Sequence, residues 1–195
     1  MSEANEVVSI PIPPWLDEVV AAHGGRLDDD EARLRLAIRL SRENLERGGG
    51  PFGAAVFAGS KLVTTGVNCV LGCGLSIAHA EIVAMMRAQR LLASPPSAAD
   101  GLTLYSSTEP CCQCFGAVVW SGVSRLVCGA LTSDAEDVGF DEGPKPEDWP
   151  ATLEERGIAV KLSVCRDEAR EVLLDYQRRG GVIYGLRSPR VHPAR

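Results

Sequence analysis

At 195 residues the chain is long enough for one α/β domain with a proper core and somewhat short for two. Hydrophobic residues at 45% and charged residues at 24% are ordinary globular values, and no apolar run approaches bilayer-spanning length, so a soluble protein is expected. A net charge of −6, with arginines scattered along the chain, disfavours a large nucleic-acid surface, whose affinity would come from clustered Lys and Arg. Residues 1–27 read as an extension, with Pro11, Pro13 and Pro14 ahead of a short amphipathic piece from Trp15 to Ala22. Residues 28–195 read as a single domain with a C-terminal tail. "DDDEARLRLAIRLSRENLERGGG" has acidic residues in its first turn, then Leu34, Ala37, Ile38, Leu40 and Leu45 near helical spacing, then a triple-glycine stop; it predicts a helix. "FGAAVFAGSKLVTTGVN" holds two apolar runs joined at Gly59, Ser60 and Lys61 and predicts a hairpin. A helix is expected from Ile77 to Leu92, ended by "SPPS". "LTLYSS" (102–107) reads as a strand leading into a helix that opens near Cys111, and "SRLVCGA" (124–130) as another strand. Residues 133–150, acidic and proline-rich, read as irregular; "IAVKLSVC" is the last expected strand and "RDEAREVLLDYQRRGG" the last helix. Strands alternating with helices argue a layered α/β fold, and the hairpin makes the sheet mixed.

The chemistry concentrates in "AHAE" and "EPCCQC". Cys111 and Cys114, separated by two residues at a helix start, share one face, so both sulfurs can reach one metal. The helix dipole favours their thiolate forms. His79, at the start of another expected helix, can supply an imidazole, leaving a three-ligand Zn²⁺ with one position open to water. In that first helical turn Glu81 can also face the metal, take a proton from the water and deliver it to a substrate. Each residue has a plainer reading: His79 as a hydrogen-bonded structural residue, Glu81 as a dipole partner at a helix start. Cys69 and Cys73 could join Cys111 and Cys114 in a closed, inert four-cysteine zinc site. Cys112, Cys128 and Cys165 read as core or near-site residues. Seven cysteines, an odd number, together with an N-terminus lacking a basic-then-apolar pattern, suggest a reducing compartment, the cytoplasm.

H-x-E combined with P-C-x-x-C is the signature of zinc deaminases acting on nucleobases. Through "GGGPFGAAVF", "GVN", "AHAE", "EPCxxCFGAVVW" and "SDAEDVGFDEGP", in that order, the chain resembles the cytidine-deaminase-like superfamily and, within it, the bacterial guanine deaminase branch. The likeness runs from about Gly48 to Gly143 and more loosely into the tail "GGVIYGLR". It implies a three-layer α/β/α sandwich around a five-stranded mixed sheet, with the zinc between two helix N-termini at one sheet edge. It implies His79, Cys111 and Cys114 as ligands, Glu81 as proton shuttle, Asn68 as a hydrogen-bonding partner of the base, Glu142 as a second carboxylate aimed at the ring and leaving amine, and Trp120 near the pocket wall. Read without the resemblance, Asn68 is a turn residue, Trp120 an apolar anchor, and Asp141 and Glu142 solvated loop charges. The implied activity is hydrolytic deamination of an aminated purine, guanine giving xanthine and ammonia. The alternatives are a related substrate such as guanosine, an ammeline-type triazine or a cytosine-type pyrimidine, then tRNA adenosine, then a structural zinc protein. A homodimer is also implied, its "GGVIYGLR" segment near an active-site mouth. The residues around "DEGPKPEDWP" and the N-terminal extension depart from the branch pattern.

Overall fold

The computed structural model describes residues 8–22, 27–92 and 101–184. The expected "SPPS" stop and the end of the "GGVIYGLR" tail lie outside the described residues. Helix α1 (Trp15–Ala22) packs Leu16 into the core, and Ile10, Ile12 and Trp15 pack beside it, so the extension from residue 8 lies on the domain. Helix α2 (Asp30–Glu46) starts where Asp29 accepts a 2.7 Å hydrogen bond from the Ala32 N–H. The hairpin forms from β1 (Gly53–Ala58) and β2 (Lys61–Val67), with Gly59 at φ 57 in the turn. Lys61 is already strand, because it pairs with Ala58.

After β2 come one turn of helix α3 (Val70–Cys73), helix α4 (Ala80–Leu92), strand β3 (Leu102–Thr108), helix α5 (Cys112–Ser121) and strand β4 (Arg125–Ala130). Helices α6 (Thr132–Asp137) and α7 (Trp149–Glu154), strand β5 (Ala159–Lys161) and helix α8 (Arg166–Arg178) complete the order. The strands lie in the order β2-β1-β3-β4-β5. β1 is antiparallel to both its neighbours, whereas β3, β4 and β5 run parallel. Along β1, Ala55 and Phe57 face the cluster shared with α2 and α8, while Ala54 and Val56 face the one shared with α4 and α7. Both faces are therefore covered, and the fold is the expected three-layer α/β/α sandwich with a five-stranded mixed sheet.

Three helix-to-strand crossings are made at glycines. A Cβ on Gly53 would stand 2.4 Å from the Ala37 carbonyl of α2, and one on Gly66 would stand 2.4 Å from the Ala80 carbonyl of α4. One on Gly129 would stand 2.9 Å from the Ala169 Cβ of α8. Against one face of the parallel strands, Asp30 accepts hydrogen bonds from Arg125 at 2.7 Å through both oxygens, from Lys161 at 2.7 Å and from the Tyr105 hydroxyl at 2.9 Å. This network ties α2 to β3, β4 and β5.

The structure corrects several expected boundaries. The helix expected from Ile77 begins at Ala80, because the backbone around His79 serves as its cap; the His79 carbonyl accepts the Val83 N–H at 2.9 Å. The stretch 133–150 is not uniformly irregular. "TSDAED" lacks an apolar period, yet it forms α6 because Asp134 accepts from the Leu131 N–H and pairs with Arg166 and Arg170 of α8. The last strand keeps only three residues. Beyond Lys161 the chain turns through Ser163 and Cys165, both at positive φ, into α8.

Candidate active site

The central strand β3 ends at Thr108, and Glu109 and Pro110 carry the chain directly to Cys111, the N-cap of α5. The sequence-derived position at a sheet edge is thus corrected: the site sits at the carboxyl end of the middle strand, where two helix starts converge. The His79 Nδ1 lies 3.4 Å from the Cys111 Sγ and 3.5 Å from the Cys114 Sγ. All three ligand atoms fall within 4.8 Å of one another. A tetrahedral zinc with bonds of about 2.3 Å to sulfur and about 2.0 Å to nitrogen holds such an S–N pair roughly 3.5 Å apart, so the trio fits this metal. Cys69 and Cys73 do not join it; among the described residues His79, Cys111 and Cys114 are the one such group. The Cys69 thiol is instead turned to the Val67 carbonyl, and burial pushes it up to about 11.

The two clustered sulfurs differ in character. Cys111 is drawn down to about 4, principally by a hydrogen bond from Cys114, against the opposing effect of burial and with help from His79. The same contact, followed by burial, raises Cys114. Two sulfurs in mutual contact beside an imidazole, one of them drawn toward the thiolate, are a donor set suited to a soft divalent cation.

Glu81, only 6% exposed, sits in the first turn of α4. Its Oε1 accepts a 3.1 Å hydrogen bond from the Ser106 hydroxyl, and its Oε2 lies 3.4 Å from the Cys114 Sγ. Burial, then the Cys111 charge, raises its pKa. A carboxylate aimed from a fixed rotamer at the metal position can exchange protons there. Ser106 was missed in sequence, although a polar residue on the inward register shared with Leu104 was the available signal.

A cavity of about 100 Å³ opens beside this cluster, lined by His79, Glu81, Cys111, Asn68, Glu142, Glu109, Phe52, Phe140, Tyr184 and neighbours. Phe140 meets Phe52 edge-on at 4.9 Å and Tyr184 edge-on at 5.4 Å, forming an interlocked aromatic wall. Glu142, 6% exposed, has an Oε2 with no hydrogen-bond partner among the described residues, and the Tyr184 hydroxyl has none there either. Burial, then the Cys111 charge, pushes Glu142 up to about 8, with Lys145 opposing. Its loop is latched to α5: the Glu142 carbonyl accepts the Cys112 N–H at 2.8 Å, and a Cβ on Gly143, at φ 68, would stand 2.4 Å from the Cys112 Sγ. Lys145 donates to the Pro110 carbonyl at 2.8 Å, and Glu109 accepts from the Thr132 N–H and hydroxyl. Asp141 stays exposed, accepting from the Gly143 N–H.

Asn68 lines the cavity with its Oδ1 already accepting from the Val70 N–H at 3.1 Å, which leaves its Nδ2 donor for a ligand. Trp120 is not brought to the site. Six residues past Cys114 an α-helix has turned about 240° beyond a full revolution, and Trp120 points outward, 77% exposed. Tyr184, in the tail, reaches the cavity of its own chain because Gly180 turns the backbone at φ 68 and the Tyr176 hydroxyl donates to the Val182 carbonyl.

The description "cytidine and deoxycytidylate deaminase zinc-binding region" belongs to the family whose model matches residues 27–130. The guanine deaminase of Bacillus subtilis (strain 168) is 36% identical over 129 residues, spanning 66% of this chain and 81% of that protein. A tRNA-specific adenosine deaminase of Buchnera aphidicola is 29% identical over 147 residues, spanning 75% of this chain and 93% of that protein. Among solved structures, the guanine deaminase of Nitrosomonas europaea superposes with a TM-score of 0.84 at 42% identity, covering 91% of this chain and 100% of that one.

Proposed function

Because the chain belongs to the cytidine and deoxycytidylate deaminase zinc-binding family, we propose that it removes an amino group from a purine base hydrolytically, guanine and water giving xanthine and ammonia. The observation that carries this reading is a second buried carboxylate. Glu142 faces the same small cavity as Glu81, His79, Cys111 and an aromatic wall, with one oxygen that has no partner among the described residues. The guanine deaminase relatives supply the substrate.

His79, Cys111 and Cys114 would hold a zinc ion, which when bound would supply the Lewis acidity that makes water nucleophilic at neutral pH. Glu81, its Oε1 fixed by Ser106, takes a proton from the attacking water and passes it to the ring nitrogen beside the amino-bearing carbon. Asn68 donates from Nδ2 to an acceptor on the base. Glu142, in its protonated form, gives its proton to the amino group as the bond to carbon breaks and ammonia leaves, and it regains a proton from the new hydroxyl as that group becomes the carbonyl. Phe52, Phe140 and Tyr184 flank the ring and exclude bulk water.

The cytoplasm and a homodimer belong to the same reading. Seven free cysteines suit a reducing compartment, and exposed Trp120 on α5 and Met86 on α4 offer apolar surface to a second copy. No helix among the described residues is long and apolar enough to cross a membrane.

Ammonia release from guanine, guanosine, ammeline, cytosine and an adenosine-bearing tRNA anticodon stem tests the assignment. Guanine is expected to have the highest kcat/KM. Preference for the tRNA stem, or no release from guanine and its near analogues, would overturn it.

A further inference from the structure

Behind the cavity, outside its lining, lies a buried side chain to which the mechanism gives no task. Asn44, near the end of α2, directs both hydrogens of its amide to backbone carbonyls: Nδ2 donates to Gly50 at 2.8 Å and to Asn68 at 2.9 Å. Those two peptides are not neighbours in sequence, but they meet at the cavity wall. A Cβ on Gly50 would stand 2.3 Å from the Tyr184 hydroxyl and 3.0 Å from the Asn68 Oδ1.

With Asn44 in place, Asn68 is held at three points. Its N–H donates to the Phe52 carbonyl at 3.1 Å, its own carbonyl accepts from Asn44, and its Oδ1 accepts from the Val70 N–H. The Nδ2 is the group left to face a ligand. We infer that Asn44 is a positioning residue for base recognition, acting through Asn68: its amide fixes the Gly50 and Asn68 peptides and so sets the direction in which Asn68 donates. The inference rests on the reading that Asn68 holds the base. A buried carbonyl deprived of its donor reorients to find another, and a rotated Asn68 peptide carries its side chain away from the ring. Glu81 is anchored separately, through Ser106 of β3, so the loss should fall on binding rather than on proton transfer. Gly49 gives a second handle. A Cβ there would stand 2.5 Å from both amide heteroatoms of Asn44, so Gly49→Ala pushes the same amide off its carbonyls while both Asn44 and Asn68 are retained.

The test is a double-mutant cycle read as a KM-against-kcat split on the zinc-loaded enzyme. Asn44→Ala and Gly49→Ala are each expected to raise KM for guanine about tenfold, a change of roughly 1.4 kcal/mol, with kcat within about twofold. In an Asn68→Ala background neither should raise KM further, because the residue they act through is gone. Ser41→Ala, which removes a buried hydroxyl bonded to the Ile38 carbonyl on the same helix, should lower Tm without moving KM. The inference is overturned if Asn44→Ala and Gly49→Ala lower Tm but leave KM unchanged, or if they raise KM equally with and without Asn68. Should Asn44→Ala not fold, Gly49→Ala alone decides between these results. If Asn68→Ala itself leaves KM at the wild-type value, the base-holding role of Asn68 fails and the inference falls with it, a result distinct from the previous two.

Discussion

Glu142→Gln should move catalysis and stability in opposite directions. The substitution keeps the shape of the side chain and removes its charge at a place where one buried carboxylate oxygen has no partner among the described residues. For catalysis, loss of a well-placed general acid or base lowers rate by about 10² to 10⁴, or roughly 3–5 kcal/mol in the barrier. For stability, the folded protein holds this carboxyl at about 8 against an ordinary 4.5, chiefly through burial. A carboxyl raised on folding costs nothing below its unfolded pKa; the penalty grows as pH rises through the window from 4.5 to about 8 and is complete above it. At roughly 1.4 kcal/mol per pH unit, Glu142→Gln should stabilise the metal-free chain by on the order of 2–5 kcal/mol at pH 8.5 and by almost nothing at pH 4.5. Guanine turnover with zinc-loaded protein measures the first effect, and urea denaturation of chelated protein across that pH range measures the second. Wild-type turnover would make Glu142 a bystander, and a stability difference independent of pH would show that its charge is not desolvated.

The metal assignment predicts one zinc per chain that His79→Ala and Cys114→Ser abolish and the Cys69→Ser, Cys73→Ser double variant keeps, as read by atomic absorption after dialysis; the opposite pattern would restore the four-cysteine site. Asp30→Asn should cost about 1–3 kcal/mol at pH 7, between the values for exposed and buried ion pairs. Asp30 is held below its ordinary 3.8, first by Arg125, then against burial by Lys161 and Tyr105. That contribution is therefore full above about pH 4 and must shrink as pH falls further; an undiminished gap in urea midpoints at pH 2.5 would refute the electrostatic account. Gly66→Ala should cost about 1–3 kcal/mol by overpacking and lower Tm, since the new methyl meets α4 backbone; an unchanged Tm would mean that the helix yields freely.

Long periodic elements were legible. Helix α2, the hairpin and α8 sit where apolar spacing, acidic first turns and glycine stops placed them. Elements held by single tertiary contacts were not. Helix α6 exists because Asp134 meets two arginines about 30 residues away, and β5 is cut short by a backbone turn that no hydropathy pattern marks. The cluster of His79, Glu81, Cys111 and Cys114 was readable because its spacing is local within each half. The aromatic wall was not: Phe52, Phe140 and Tyr184 are far apart in sequence and each is individually ordinary. Trp120 went astray for the converse reason, since a match in sequence spacing says nothing of helical phase.

The glycine beneath α4 acts as a ruler. Gly66 lets the helix lie against β2 at Ala80 and Ala84, where the Cβ of any other residue would meet its backbone. From that seat the chain runs through Asn68 to His79 and Glu81, and their distances along the sheet are set by residue count. Insertions and deletions in related chains should therefore gather at the Gly59 turn and beyond Leu92, while the thirteen steps from Gly66 to His79 stay unchanged even where the residues between them drift.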